Sequence, residues 1–279
     1  MTWATDQLPD PQTLRELGAL ALRVARAAAT LVHEGRPDRL DTSTKSSDTD
    51  VVTIMDTRSE AQLRTALRAA RPADGFVGEE GEDLAGTTGI TWVVDPIDGT
   101  VNYLYDLPMY AVSVAAVLGS PRGPAWRPVV GAVVSPVLNL AWTALVGQGA
   151  ARHDLATGAR TPLSVGTQTD LGHALIGTGF GYRADTRAEQ ARTLVEVLPR
   201  VRDIRRLGSA ATDLCLVADG RLDAYYESGL KPWDLAAGRL VVSEAGGVVV
   251  GPAGGEPTEE MVVAGNAALV AALRPLVTR

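Results

Sequence analysis

The sequence predicts an α+β protein whose helices and strands alternate in layers. Three observations carry that expectation: a long apolar helical stripe near the N-terminus, a central block of β-rich runs, and a return to strand–helix alternation in the last part of the chain. Asp10-Pro11 opens a helix from about Gln12 to His33, with Leu14, Leu17, Ala21, Val24, Ala28, Leu31 and Val32 along one side. Asp10 suits its cap, Pro11 its first turn and Gly35 its end. The polar stretch DTSTKSSDTD cannot build a core and reads as a surface loop. VVTIMD is a short strand or turn leading into a second helix, Thr57 to Ala70, stopped at Arg71-Pro72. FVGEE is a brief strand ending at Gly78, Glu79 and Glu80.

From Thr91, the runs TWVVD, YAVSVAAVL, VVGAVVSP and LAWTALVG are separated by Gly, Pro and Asn, which predicts a sheet of mostly antiparallel strands. Beyond Ala150 come a strand at ALIGTG, a helix from Thr186 to Leu198 and a strand near Asp203 to Arg206. A helix at SAATDLCLVADG, a strand at LDAYYE and a helix from Leu235 to Ala245, ended by Gly246-Gly247, follow. Strands at GVVV and MVVAG and a last helix from Asn266 close the chain. No repeat or long linker interrupts it. Residues 1–279 therefore read as one unit, with an α+β half of about 1–148 and an α/β half of about 149–279, joined near Gly147 to Arg152.

Hydrophobic residues make up 46% and charged residues 21%, the balance of an ordinary folded, soluble chain with a core of small aliphatics. The net charge is −7 with acids and bases interspersed, which argues against nucleic acid as a partner. A small anion remains compatible if a cation intervenes. Cys215 is the sole cysteine, so no intrachain disulfide forms, and a reducing cytoplasm is the expected location. Its bland role, a small apolar residue in a helix, is preferred to a reactive thiol. No apolar run reaches bilayer length, and MTWATDQLPDPQTL lacks the pattern of a signal peptide, so no membrane partner is expected.

The chemistry is sought among the acids. In WVVDPIDGTVNY, Asp95 and Asp98 leave an apolar run three residues apart. D-P-I-D-G-T can be an ordinary turn. An ordinary turn needs one Asp, however, and the Ile97 carbonyl between the two would make three hard oxygens, a set suited to Mg²⁺, Mn²⁺ or Ca²⁺ rather than zinc. Glu79 and Glu80 read first as a solvated acidic pair, although their place at the end of a short apolar strand lets a carboxylate point toward a neighbouring strand end. Asp234, in KPWDLAAGRL, suits the N-cap of its helix, with one oxygen free for metal. Asp50 is a loop acid, Thr100 a turn residue or a hydroxyl beside a bound water, and Glu227 an exposed strand end or a partner for substrate hydroxyls. Each alone is open.

In combination, K-S-S…D-V-V-T-I-M-D, F-V-G-E-E, W-V-V-D-P-I-D-G-T-V-N-Y and W-D-L-A-A-G…S-E-A-G-G resemble the inositol monophosphatase family. R-R-L-G-S-A-A-T-D-L-C and D-A-Y-Y-E-S-G extend the likeness from about Lys45 to Ala264. The resemblance implies a layered α-β-α-β-α sandwich, with a mostly antiparallel first sheet and a mixed second one. It implies Mg²⁺-dependent hydrolysis of small phosphate monoesters by direct attack of a metal-activated water, with two or three ions and Mn²⁺ as an alternative. By motif match, Glu79, Asp95, the Ile97 carbonyl, Asp98 and Asp234 look like metal ligands. Asp50 and Thr100 look like the pair that orients the water, with Glu79 also in the catalytic set. Asp98, Gly99, Thr100, Ala210, Glu227 and Asp234 look like substrate contacts.

The partner implied is a small phosphorylated metabolite, inositol 1-phosphate first and histidinol phosphate second, then fructose 1,6-bisphosphate or a 3′-phosphoadenosine nucleotide. The implied assembly is a homodimer. A noncatalytic protein-binding copy would be expected to have lost a ligand, and none is missing. Two departures stand out: Tyr103 where the family often has Phe, and T-G-F-G-Y-R, Thr178 to Arg183, where animal enzymes carry a serine-containing version. The second borders the substrate and bears on its identity.

Overall fold

The computed structural model describes residues 8–44, 51–123 and 125–278. Helix α1 spans Pro11–Glu34, and Asp10 Oδ1 caps it by accepting from the Gln12 and Thr13 amides at 2.9 and 3.0 Å. Its apolar stripe, Leu14, Leu17, Ala21, Val24, Ala25, Ala28 and Val32, is buried. Strands β1 (Thr42–Thr44) and β2 (Val51–Thr53) pair antiparallel, so part of the stretch expected as a loop forms a two-stranded ribbon. Helix α2 (Ile54–Ala70) starts three residues earlier than expected because Thr53 and Asp56 cap it reciprocally.

A seven-stranded sheet follows in the order β3 (Gly75–Gly78), β4 (Ile90–Asp98), β5 (Ala111–Gly119), β6 (Trp126–Ser135), β7 (Leu140–Leu145), β8 (Ala150–Asp154) and β9 (Arg160–Pro162). Only β3–β4 is parallel; the other pairs are antiparallel. The sheet continues past residue 148, since β8 and β9 pair onto its edge. A five-residue helix, α3 (Thr100–Leu104), leaves the end of β4.

The second sheet holds β10 (Leu175–Thr178), β11 (Asp203–Arg205), β12 (Ala224–Glu227), β13 (Val248–Val250) and β14 (Val262–Gly265), in the order β11-β10-β12-β14-β13. It is mixed: β10 runs parallel to β11 and β12, while β14 runs antiparallel to β12 and β13. Between them in sequence lie α4 (Ala184–Val197), α5 (Ala210–Ala218) and α6 (Pro232–Glu244), and α7 (Ala267–Val277) follows β14.

The layers follow from which faces are covered. Helices α1 and α2 pack on one face of the first sheet, α5 and α6 fill the space between the two sheets, and α4 and α7 pair on the far side of the second. The order is α-β-α-β-α. Strands β4, β5 and β6 are buried on both faces, which is why they read as continuous apolar runs rather than alternating ones. Cys215 is wholly buried in α5. Among the described residues, no helix is long and apolar enough to cross a membrane.

Candidate metal and active site

The site begins with a parity problem. Residues three apart on a regular strand face opposite sides of a sheet, so Asp95 and Asp98 should diverge. They do not, because Asp95 pairs with Ser113 and Asp98 with Ala111: three steps on β4 oppose two on β5. This bulge restores the parity and turns both carboxylates to one side. Pro96, which has no N–H to give to a ladder, sits inside it. Asp95 is held in turn by the Ile97 amide, which donates to its Oδ1 at 3.0 Å.

Gly99 then reverses the chain at φ 102° and ψ 38°, in the left-handed region. A Cβ there would stand 2.8 Å from the Met109 carbonyl oxygen and 3.1 Å from that of Gly208. The turn starts α3 and places the Thr100 hydroxyl 3.0 Å from both the Ile97 carbonyl oxygen and Asp56 Oδ1. Asn102 donates to the Met109 and Leu207 carbonyls at 2.6 and 2.7 Å, tying β4's exit to the segment that enters α5. Tyr103 is fully buried, and its hydroxyl donates to the Val32 carbonyl at 2.9 Å. The hydroxyl absent from Phe thus clamps α3 to α1.

The central helical layer supplies the rest. Asp98 lies at the N-terminus of α5, accepting from Ser209 Oγ at 2.7 Å, the Ala211 amide at 2.6 Å and the Ala210 amide at 3.2 Å. Asp234 is not the N-cap of its helix as expected. Pro232 starts α6 one turn earlier, and Asp234, in that first turn, reaches back to accept from the Lys231 amide at 2.7 Å through Oδ2. A proline at the helix start makes the earlier beginning favourable. Ser113 Oγ donates to the Trp233 carbonyl at 3.3 Å, which fixes α6 against β5.

Asp95, Asp98 and Asp234 thereby offer oxygens that all lie within 4.8 Å of one another. Glu79, at the end of β3, stands outside that group but lines the same cavity, as do Ile97, Gly99, Thr100, Ala210 and Glu227. The cavity has a volume of about 560 Å³. Burial pushes Asp95 well above the ordinary carboxylate range, and the charges of Glu79, Asp98, Asp234 and Asp56 push it further. Asp234 is raised by burial and by Glu79 and Asp98, against the pull of the Lys231 amide. Burial brings Asp98 to about 6 despite its three hydrogen bonds. Three convergent oxygen donors that repel one another fit a hard divalent cation, which removes the repulsion.

Asp50 falls outside the described residues. The carboxylate that meets Thr100 is Asp56, six positions later and fully buried. Its other oxygen accepts from the Thr53 amide and hydroxyl at 2.8 and 2.6 Å. Sequence reasoning missed Asp56 because an acid three residues after a threonine reads as a helix capping box, which it also is. The signal that was available is the second Asp of D-V-V-T-I-M-D.

The comparisons with known proteins bear on the family and the fold. The description "Inositol monophosphatase family" matches residues 13–277. The chain belongs to the inositol monophosphatase family. It is 43% identical to the inositol-1-monophosphatase SuhB of Mycobacterium tuberculosis over 87% of this chain and 86% of that one. It is 38% identical to the Nus factor SuhB of Escherichia coli, covering 91% and 92% of the two. Among solved structures, the extragenic suppressor protein SuhB of Bartonella henselae superposes with a TM-score of 0.82 at 31% identity, covering 96% of this chain and 99% of that one. Membership makes the protein a phosphatase of this superfamily and identifies the layered sandwich as the family's fold.

Proposed function

We propose that this protein is a Mg²⁺-dependent phosphomonoesterase that releases phosphate from inositol 1-phosphate, with Mn²⁺ as an alternative ion. The observation that carries the reading is the meeting of Asp95, Asp98 and Asp234 within 4.8 Å beside the Thr100–Asp56 pair. Glu79, Asp95, Asp98, Asp234 and the Ile97 carbonyl are the groups that would hold two or three ions. Divalent ions, when bound, cancel the carboxylate charge, attract the phosphate and acidify water.

The chain's own residues supply alignment and a proton path. Thr100 Oγ1 carries one proton and two lone pairs. Donating that proton to Asp56 Oδ1 leaves the hydroxyl oxygen able to accept one from an attacking water. Asp56, anchored at its second oxygen by Thr53, orients the pair. The Gly99 and Thr100 amides serve the phosphate oxygens at the start of α3. Ala210 and Glu227 line the same cavity and serve the hydroxyls of the cyclitol.

Asp56→Asn removes the proton acceptor while the remaining carbonyl oxygen still caps α2. Turnover is expected to fall about 10²–10³-fold with KM little changed. Steady-state kinetics with a melting curve on the same preparation check this, and unchanged kcat would remove Asp56 from the relay.

The reading is tested by phosphate release from inositol 1-phosphate, histidinol phosphate, fructose 1,6-bisphosphate and a 3′-phosphoadenosine nucleotide, with Mg²⁺ and with chelator. Highest kcat/KM on inositol 1-phosphate supports it. Highest kcat/KM on histidinol phosphate moves the assignment to the second reading. Tight metal binding with no release from any ester favours a noncatalytic protein-binding role. The working assembly we infer is a homodimer.

A further inference from the structure

The substrate cavity holds one acid that the reaction above does not use. Asp213 lies in the first turn of α5 and is 1% exposed, yet it lines the cavity. Its Oδ1 is buried without a hydrogen-bond partner, and among the described residues its side chain makes no hydrogen bond or ion pair. An acid in a first helical turn is ordinarily explained by the helix dipole. That explains a charged, solvated acid. Here burial, with the neighbouring charges of Glu227 and Asp98, pushes Asp213 well above the carboxylate range and outweighs the opposing pull of Arg206. A neutral acid gains little from a dipole, and its unpartnered oxygen works against the fold. The cost is offset if something in the cavity supplies the missing hydrogen bond.

The surroundings indicate what that is. Glu227 faces the same cavity, with one oxygen taken by the Tyr225 hydroxyl. Its seat exists only because residue 179 is glycine, since a Cβ there would lie 2.0 Å from Glu227 Oε2. Two carboxyl groups from different elements, α5 and β12, thus border one space, each able to accept a hydrogen bond and, when protonated, to donate one. A protonated acid donates and an ionised one accepts. A substrate hydroxyl needs one acceptor and one donor, and adjacent hydroxyls on a ring match the pair.

We propose that Asp213 is a substrate-binding residue that, together with Glu227, holds the hydroxyls of a phosphorylated polyol in the cavity. This deepens the phosphatase reading and rests on it for the identity of the phosphate end.

The test separates binding from turnover and uses the full chain with MgCl₂. The probes are a non-hydrolysable phosphonate analogue of inositol 1-phosphate and methylphosphonate, which has no hydroxyl-bearing ring, titrated by calorimetry. Asp213→Leu keeps the approximate volume and removes both polar atoms; Asp213→Asn keeps a donor and an acceptor. For Asp213→Leu the analogue is expected to bind about tenfold more weakly, methylphosphonate within about twofold of the parent protein, and the melting temperature to rise by ~2–4 °C. Asp213→Asn should stay within about threefold of the parent for both probes.

The proposal is overturned if Asp213→Leu binds the analogue like the parent protein, or if both probes weaken equally. A lowered melting temperature would also overturn it, because it would mark a structural role, as would failure of the parent to bind the analogue. Phosphate release is measured separately, so its absence in a parent protein that binds the analogue counts against the phosphatase reading and not against Asp213.

Discussion

Asp95→Asn is expected to lower phosphate release by about 10³-fold or more while the protein folds as before. The substitution is isosteric, and the new side chain retains an oxygen to accept the Ile97 amide, so the bulge that aims residues 95 and 98 keeps its hydrogen bond. What disappears is one full negative charge at the centre of a buried group, the charge that a divalent ion needs most. The metal-free protein should melt at a higher temperature than its parent, since Asp95 is buried and faces Glu79, Asp98, Asp234 and Asp56. Kinetics across a Mg²⁺ titration and calorimetric melting check both halves. Activity that persists and still depends on divalent ion would remove Asp95 from the site.

The second large effect is a reversal of pH dependence on metal removal. In the chelated protein, burial raises Asp98 to about 6 and Glu227 to about 7, and it holds Asp95 and Asp234 well above the ordinary carboxylate range. The unfolded chain releases these protons near the ordinary value of about 4. Between there and the folded values the native state binds more protons than the unfolded state, so stability falls as pH rises. It is fullest below about pH 4 for these groups and is lost through pH 6 and 7 and beyond. For Asp98 alone the loss is on the order of 3 kcal/mol. Mg²⁺ binds the ionised carboxylates and should therefore restore more stability at pH 8 than at pH 5. Melting curves at these two pH values, with chelator and with Mg²⁺, measure the difference. A chelated protein that melts at the same temperature at both would show that these acids are not packed against one another.

Much of the fold could be read from the residues, because its causes are local. The Asp10–Pro11 start of α1, the β-rich block behind β4 to β7 and the Asn266 cap of α7 are each produced by side chains within a few positions of the backbone they shape. The misses have equally definite causes. Strand β8, short and half-buried, and β9, short and exposed, carry little apolar signal and form because β8 pairs onto the open edge of β7 and β9 onto that of β8. The earlier start of α6 moved Asp234 from cap to first turn without taking it from the site. Asp50 lies outside the described residues, and Asp56, the acid that meets Thr100, is hard to find from sequence: 44 positions separate the two, and no spacing rule spans that gap.

By itself the sequence determined most of the elements, the layered class and the acids of the D-P-I-D-G-T and W-D-L motifs, since helix caps, apolar periodicity and turn chemistry act over a few residues. Tertiary structure alone decided that β4 carries a bulge turning two aspartates to one side, and that α6 brings Asp234 within 4.8 Å of them. It also left Asp213 buried beside Glu227 without a partner. Those are facts about groups distant in the chain, and a charge or an unmet hydrogen bond has its consequences only once the solvent between them has been removed.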